Sequence, residues 1–124
     1  VEAGAPARSG RLAAVPGLDL ARALQHLGGQ ADVLDRVLAG FVQAYADGEP
    51  VLLDPAARAL WPARAHSLRG AVASIGALDL LTTLDAFERE LAADADGVAP
   101  AALAQHVHQA LLALVRDLRA ALEP

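Results

Sequence analysis

The chain of 124 residues contains no cysteine. That excludes a disulfide framework and any thiolate metal site, and it leaves the redox compartment unconstrained. Methionine is absent as well. A chain that opens on Val1 without an initiator Met reads as a piece of a longer protein, or as a processed one. Lysine is also missing, and all 10 basic residues are Arg. Together with the abundant Ala, this suggests a GC-rich genome. Aromatics make up only 3% while apolar residues make up 55%. A core must therefore come from Leu, Val and Ala, and Ala and Leu are the strongest helix formers. Positive charge is scarce, with a net charge of −5. That argues against nucleic acid as a partner, which would need a basic face. No uncharged apolar run approaches the roughly 18 residues of a membrane span. The first 15 residues lack the basic start and apolar stretch of a signal peptide. No membrane contact is expected of this domain.

The length suits one domain with a real core. Val1 to Val15 is rich in Ala, Gly, Pro, Ser and Arg and reads as a mobile linker, leaving 16–124 as the folded domain. Pro16-Gly17 marks a turn. Leu20, Ala23, Leu24 and Leu27 share one face of a short helix that Gly28-Gly29 ends. From Ala31 to Ala46, the positions Val33, Leu34, Val37, Leu38, Phe41, Val42 and Tyr45 have a helical period. Asp47-Gly48-Glu49-Pro50 breaks it. Asp54-Pro55 is a helix start, an N-cap followed by Pro at the first helical position. The helix is expected to reach Ile75, with a kink or a turn and restart at Pro62.

Gly76 reads as the stop. Leu80, Leu84, Phe87 and Leu91 mark a helix over Ala77–Ala93. After a polar loop at Asp94–Pro100, a last helix runs from about Ala101 to Leu122. Its stripe is Leu103, Val107, Ala110, Leu111, Leu114, Leu118 and Ala121/Leu122. No strand signal and no internal repeat is present. The fold expected is all-α: an antiparallel up-down-up-down four-helix bundle with a short N-terminal cap helix.

His66 carries the chemical interest. On a wheel of about 100° per residue with Leu68 at zero, Trp61, Arg64, Ala65, Ala71, Val72 and Ile75 fall within roughly 60°. His66 falls at about 160°, with Ala63, Gly70 and Ala73 near it and Arg69 on the flank. The imidazole is therefore expected to face away from the core. Gly70 costs a helix about 1 kcal/mol relative to Ala, but it leaves room for a close approach. Arg69, at i+3, can reach back toward the ring, where a guanidinium would stabilise a phosphoryl group by charge-assisted hydrogen bonds. A neutral imidazole is a competent nucleophile near neutral pH. The plain alternative is an ordinary surface histidine.

The local sequence favours the chemical reading. Ala65-His66-Ser67-Leu68-Arg69-Gly70-Ala71, followed by Ile75-Gly76-Ala77, resembles the signature of histidine phosphotransfer (HPt) domains. That family reads Ala-His-Thr/Ser-Leu-Lys-Gly, then small residues, then Gly-Ala. Pro16-Gly17-Leu18-Asp19, Gly28-Gly29 with Leu38 and Phe41, and Leu84-Asp85 extend the resemblance over about Pro16 to Leu122. It implies a domain without kinase or phosphatase activity of its own, with His66 as the phosphoacceptor. The phosphoryl group would come from an aspartyl phosphate of the parent kinase's receiver domain and pass to a response regulator. Arg69 stands where the family has Lys, keeping the charge but changing the hydrogen-bond geometry. Ala63, Ser67, Gly70 and Ala73 would form the docking face. The family's imidazole is often held from the following helix, which makes Glu88 and then Asp85 the candidates here.

No metal ligand set and no cofactor of the domain's own is expected, Mg²⁺ belonging to the partner receiver. His106 and His108 are two apart on a helix and cannot share a face; both are expected to be solvated. His26 suits the end of its helix through the dipole, and Trp61 is expected in the core. The parent implied is a bacterial hybrid sensor kinase, with this module at its C-terminus. The domain would then be cytoplasmic, attached to a membrane-bound protein, and monomeric in isolation. The alternatives are a chemotaxis-kinase phosphoacceptor domain, phosphorylated directly by an ATP-binding kinase domain, and a helical interaction module without phosphotransfer. A metal- or cofactor-binding bundle enzyme has little support.

Overall fold

A computed structural model describes residues 10–123. Their regular structure is helical, apart from one isolated β-bridge between Leu18 and Ala77. Beyond a short helical stretch at residues 10–13, the α-helices are α1 (Leu20–His26), α2 (Ala31–Ala44), α3 (Trp61–Ser74), α4 (Leu78–Ala93) and α5 (Val98–Leu122). Two 3₁₀ segments, Pro50–Leu53 and Pro55–Leu60, connect α2 to α3. Helix α4 packs against both α3 and α5, and α2 packs against α5. The first 3₁₀ segment also lies on α5.

Local chemistry explains the boundaries. Asp19 caps α1, its Oδ1 accepting from the Arg22 N–H at 3.0 Å, which satisfies one of the free donors of a first turn. Past its end, Gly28 and Gly29 take φ of +66° and +78°, and the Gly29 N–H donates to the Leu24 carbonyl at 2.8 Å. The helix expected from Asp54 to Ile75 is divided. Asp54 does cap the segment that Pro55 opens, accepting from the Ala56 N–H at 3.0 Å. That segment is 3₁₀, and α3 starts afresh at Trp61. Pro62 thus sits in a first turn, where its missing N–H costs nothing. The last helix begins at Val98 rather than near Ala101, because Pro100 too is accommodated in a first turn.

The expected linker needs correcting at its far end. Residues 1–9 of it lie outside the described residues. Residues 10–13 are helical, and Leu12 and Val15 are buried in the core. Arg11 donates from Nε to the Ala121 carbonyl at 3.1 Å and from Nη2 to the Glu123 carbonyl at 2.7 Å. The physical cause is twofold. Leu12 and Val15, three apart, bury one apolar stripe, and the C-terminal carbonyls of α5 need donors and favour a cation.

The α3–α4 turn is fastened to the entry segment. The Asp19 N–H donates to the Gly76 carbonyl at 2.7 Å, and the Leu78 N–H to the Gly17 carbonyl at 2.8 Å. Gly76 has φ +73°, and a Cβ there would stand 2.4 Å from the Asp19 carbonyl oxygen. Only glycine meets both demands. With three residues between them, α3 and α4 form a helical hairpin.

The core is made as the composition requires. Leu38, Leu68, Leu84, Leu111 and Leu118 are fully buried, and Trp61 and Phe87 supply the bulk. The Trp61 and Phe87 rings lie 6.0 Å apart at 51°, and the indole Nε1–H donates to the Val51 carbonyl at 2.8 Å. This satisfies the one polar atom that burying Trp would strand. One expectation about membranes is qualified. Helix α5 is long and apolar enough to cross a bilayer by length and composition, with a hydropathy of 1.3. Residues 98–115 carry no charged side chain, although Gln and His interrupt them. In this fold α5 has a buried face that includes Ala104, Val107, Leu111 and Leu118, as the central helix of a packed core does.

Candidate functional site

Helix α3 positions the site. Trp61, Ala65, Leu68, Val72 and Ile75 are buried, which fixes the rotation of the helix about its axis. The opposite face then has to look outward. Ala63, His66, Ser67 and Gly70 are all exposed on it, and Ala73 is half-buried at its edge. Among the described residues, no hydrogen bond or ion pair engages the His66 imidazole. Gly70 follows one turn later, and a Cβ built on it meets nothing within 4 Å. The ring therefore stands in solvent on a rigid helix, beside a surface without side-chain bulk.

Arg69, which the sequence suggested can reach back toward His66, is engaged by the neighbouring helix. Its Nη1 forms an ion pair with Asp85 Oδ1 and lies 3.5 Å from Glu88 Oε2, both on α4. Asp85 and Glu88, the candidates for orienting the imidazole, are brought to Arg69 instead. The cause is register: in the helical hairpin, Arg69 faces the middle of α4, where two carboxylates one turn apart converge on a single guanidinium. Glu88 Oε1 is nevertheless buried and has no hydrogen-bond partner.

A polar cluster beside this face was missed by sequence reasoning, and it overturns one expectation. His108 is not solvated but 5% exposed. Its Nδ1 accepts from the Glu49 N–H at 3.1 Å. Nδ1 must therefore be unprotonated, with the proton of the neutral ring on Nε2. Glu49 is buried as well, and its Oε1 lies 3.4 Å from Arg64 Nη1. The wheel put Arg64 on the core side. It stands at the margin, its side chain 49% exposed, because a guanidinium on an arm of methylenes can reach past the core to a carboxylate. Tyr45 completes the cluster. Burial raises its pKa above 10.0, the Glu49 carboxylate raises it further, and Arg64 opposes both. Gly48, at φ +71°, lies so close that a Cβ would be 2.6 Å from the His108 ring. An open groove of about 560 Å³ runs from residues 43–50 to Arg64 and Ser67.

The signal for His108 was present in the periodicity. Ala104, His108, Leu111, Val115 and Leu118 form one helical stripe, and all five are buried. His106 is exposed, as expected, and Trp61 lies in the core. Among the described residues, no group of three or more His, Cys, Asp or Glu side chains is gathered as metal ligands would be. In chemical terms the site offers an accessible nitrogen nucleophile, an adjacent cation balanced by carboxylates, and an unobstructed approach. No family model matches the chain, and neither a curated protein nor a solved structure does.

Proposed function

We propose that this chain is a histidine phosphotransfer domain in which His66 relays a phosphoryl group between receiver domains. The observation that carries the reading is His66 itself, exposed and unengaged, with the open position of Gly70 one turn beyond it. Arg69 adds a positive charge at i+3. The finer architecture belongs to the same reading: α2, α3, α4 and α5 as an antiparallel up-down-up-down four-helix bundle, with α1 as its cap. The packing of α4 on α3 and α5, and of α2 on α5, supports it.

The chemistry needs little from this domain. A ring nitrogen of His66 attacks the phosphorus of an aspartyl phosphate in line. The P–O bond to the receiver's Asp breaks as the N–P bond forms, and the carboxylate leaves. The Mg²⁺ that neutralises charge is the receiver's. The reverse step delivers the group to a response regulator. The domain contributes a preoriented nucleophile and a face that lets two proteins approach closely. No kinase activity of its own is invoked, and the partners are a parent kinase's receiver and a regulator in the cytoplasm.

The test mixes the protein with receiver domains charged by labelled acetyl phosphate. Acid-labile, alkali-stable label should appear on the wild type and be absent from His66→Gln. Equal labelling of both would remove His66 from the mechanism. Labelling of the wild type by an ATP-binding kinase domain but by no receiver would favour a chemotaxis-kinase phosphoacceptor.

A further inference from the structure

The Arg69 guanidinium is already occupied. It lies between Asp85 and Glu88 on the neighbouring helix, so one positive charge faces two negative ones. The carboxylates are themselves incompletely satisfied, Glu88 Oε1 being buried without a hydrogen-bond partner. His66, three residues before Arg69, projects from the adjoining part of the α3 surface. A phosphoryl group on His66 would bring a further dianion within reach of the same guanidinium.

We infer that Asp85 and Glu88 are positioning residues that hold Arg69 away from His66 and make phosphorylated His66 a better phosphoryl donor. This rests on the phosphotransfer reading above. Without the two carboxylates, Arg69 would turn to the phosphoryl oxygens and stabilise them. With them present, it is shared, and the phosphoryl group also meets their repulsion. The phosphorylated state is raised in energy, and the group leaves more readily. The side chains involved are roughly a third exposed, so the effect must be screened by salt. Carboxylates and a dianion separated by about one Debye length interact weakly across solvent, so the expected effect on the phosphoryl group's lifetime is about threefold at physiological ionic strength, and larger at low salt.

The experiment loads His66 without any protein partner. Potassium phosphoramidate transfers its phosphoryl group to the imidazole: its own P–N bond breaks, the ring N–P bond forms, and ammonia leaves with the imidazole proton. Hydrolysis then returns imidazole and inorganic phosphate. Phosphorus NMR follows the lifetime of the phosphohistidine. In Asp85→Asn/Glu88→Gln the lifetime should be about threefold longer than in the wild type, with the gap narrowing as salt is added. The single variant Asp85→Asn, closer to the native charge, should fall between. Arg69→Ala should shorten the lifetime in the double-variant background. Equal lifetimes at low salt, or a ratio that salt does not change, would overturn the inference, because a merely structural role carries no such salt dependence. Failure of phosphoramidate to label His66 would also overturn it. If phosphoramidate labels His66 but no receiver does, the relay reading fails while the carboxylate effect is still read from the lifetimes.

Discussion

Gly70 offers a clean separation of stability from function. It lies inside α3, is exposed, and has nothing within 4 Å of the place where a Cβ would stand. Glycine in a helix interior is about 1 kcal/mol less favourable than alanine. Gly70→Ala should therefore stabilise the protein by about 1 kcal/mol, which for a domain of this size raises Tm by about 4 °C. Nothing in the fold opposes the change. Thermal melts followed by circular dichroism measure it. Gly70→Glu should fold equally well, because its side chain also points into open space. It should nevertheless abolish transfer from charged receivers, since bulk and negative charge would stand where a partner has to approach. A fall in Tm for Gly70→Ala would mean that the position is not open. Undiminished transfer by a folded Gly70→Glu protein would refute the steric role assigned to that face.

Gly76→Ala should have the opposite effect on stability. The left-handed backbone costs a non-glycine residue about 1–2 kcal/mol. The added Cβ would also stand 2.4 Å from the Asp19 carbonyl oxygen, forcing apart a hydrogen-bonded junction. A loss of about 3 kcal/mol is expected, read from denaturant unfolding; a loss below that of an ordinary surface substitution would contradict the junction described. His108→Leu should cost about 2 kcal/mol, because it leaves the buried Glu49 N–H without an acceptor, whereas His108→Gln should recover part of the loss. If both variants are equally unstable, the hydrogen bond is not what holds the loop.

Much of this structure was legible in the sequence because α2, α4 and α5 bury stripes of Leu, Val and Phe at helical spacing. The outward orientation of His66 followed from the same arithmetic on α3, where Trp61, Leu68 and Val72 mark the core side. The less legible parts depend on long-range partners. Leu12 and Val15 are too few to declare a helix, and they matter only because α5 lies beneath them. The partner of Arg69 could not be read from α3 alone, since an arginine at i+3 reaches its own helix as readily as the next. His106 and His108 cannot share a face, so both need not be solvated, and the stripe of Ala104, Leu111 and Leu118 assigns the buried side to His108. Its acceptor nitrogen is needed by Glu49, 59 residues earlier in the chain. Pro62 announced an interruption but not its form, because proline suits a kink and a first turn alike.

The most direct measurement is the location of the phosphoryl group after the protein meets a receiver domain charged on its aspartate. Phosphorus–proton correlation should place phosphorus on a ring nitrogen of His66, and the label should pass to a second, uncharged receiver when one is added. Phosphorus that goes only to inorganic phosphate, while the His66 ring resonances stay unmoved, would contradict the role given to this histidine.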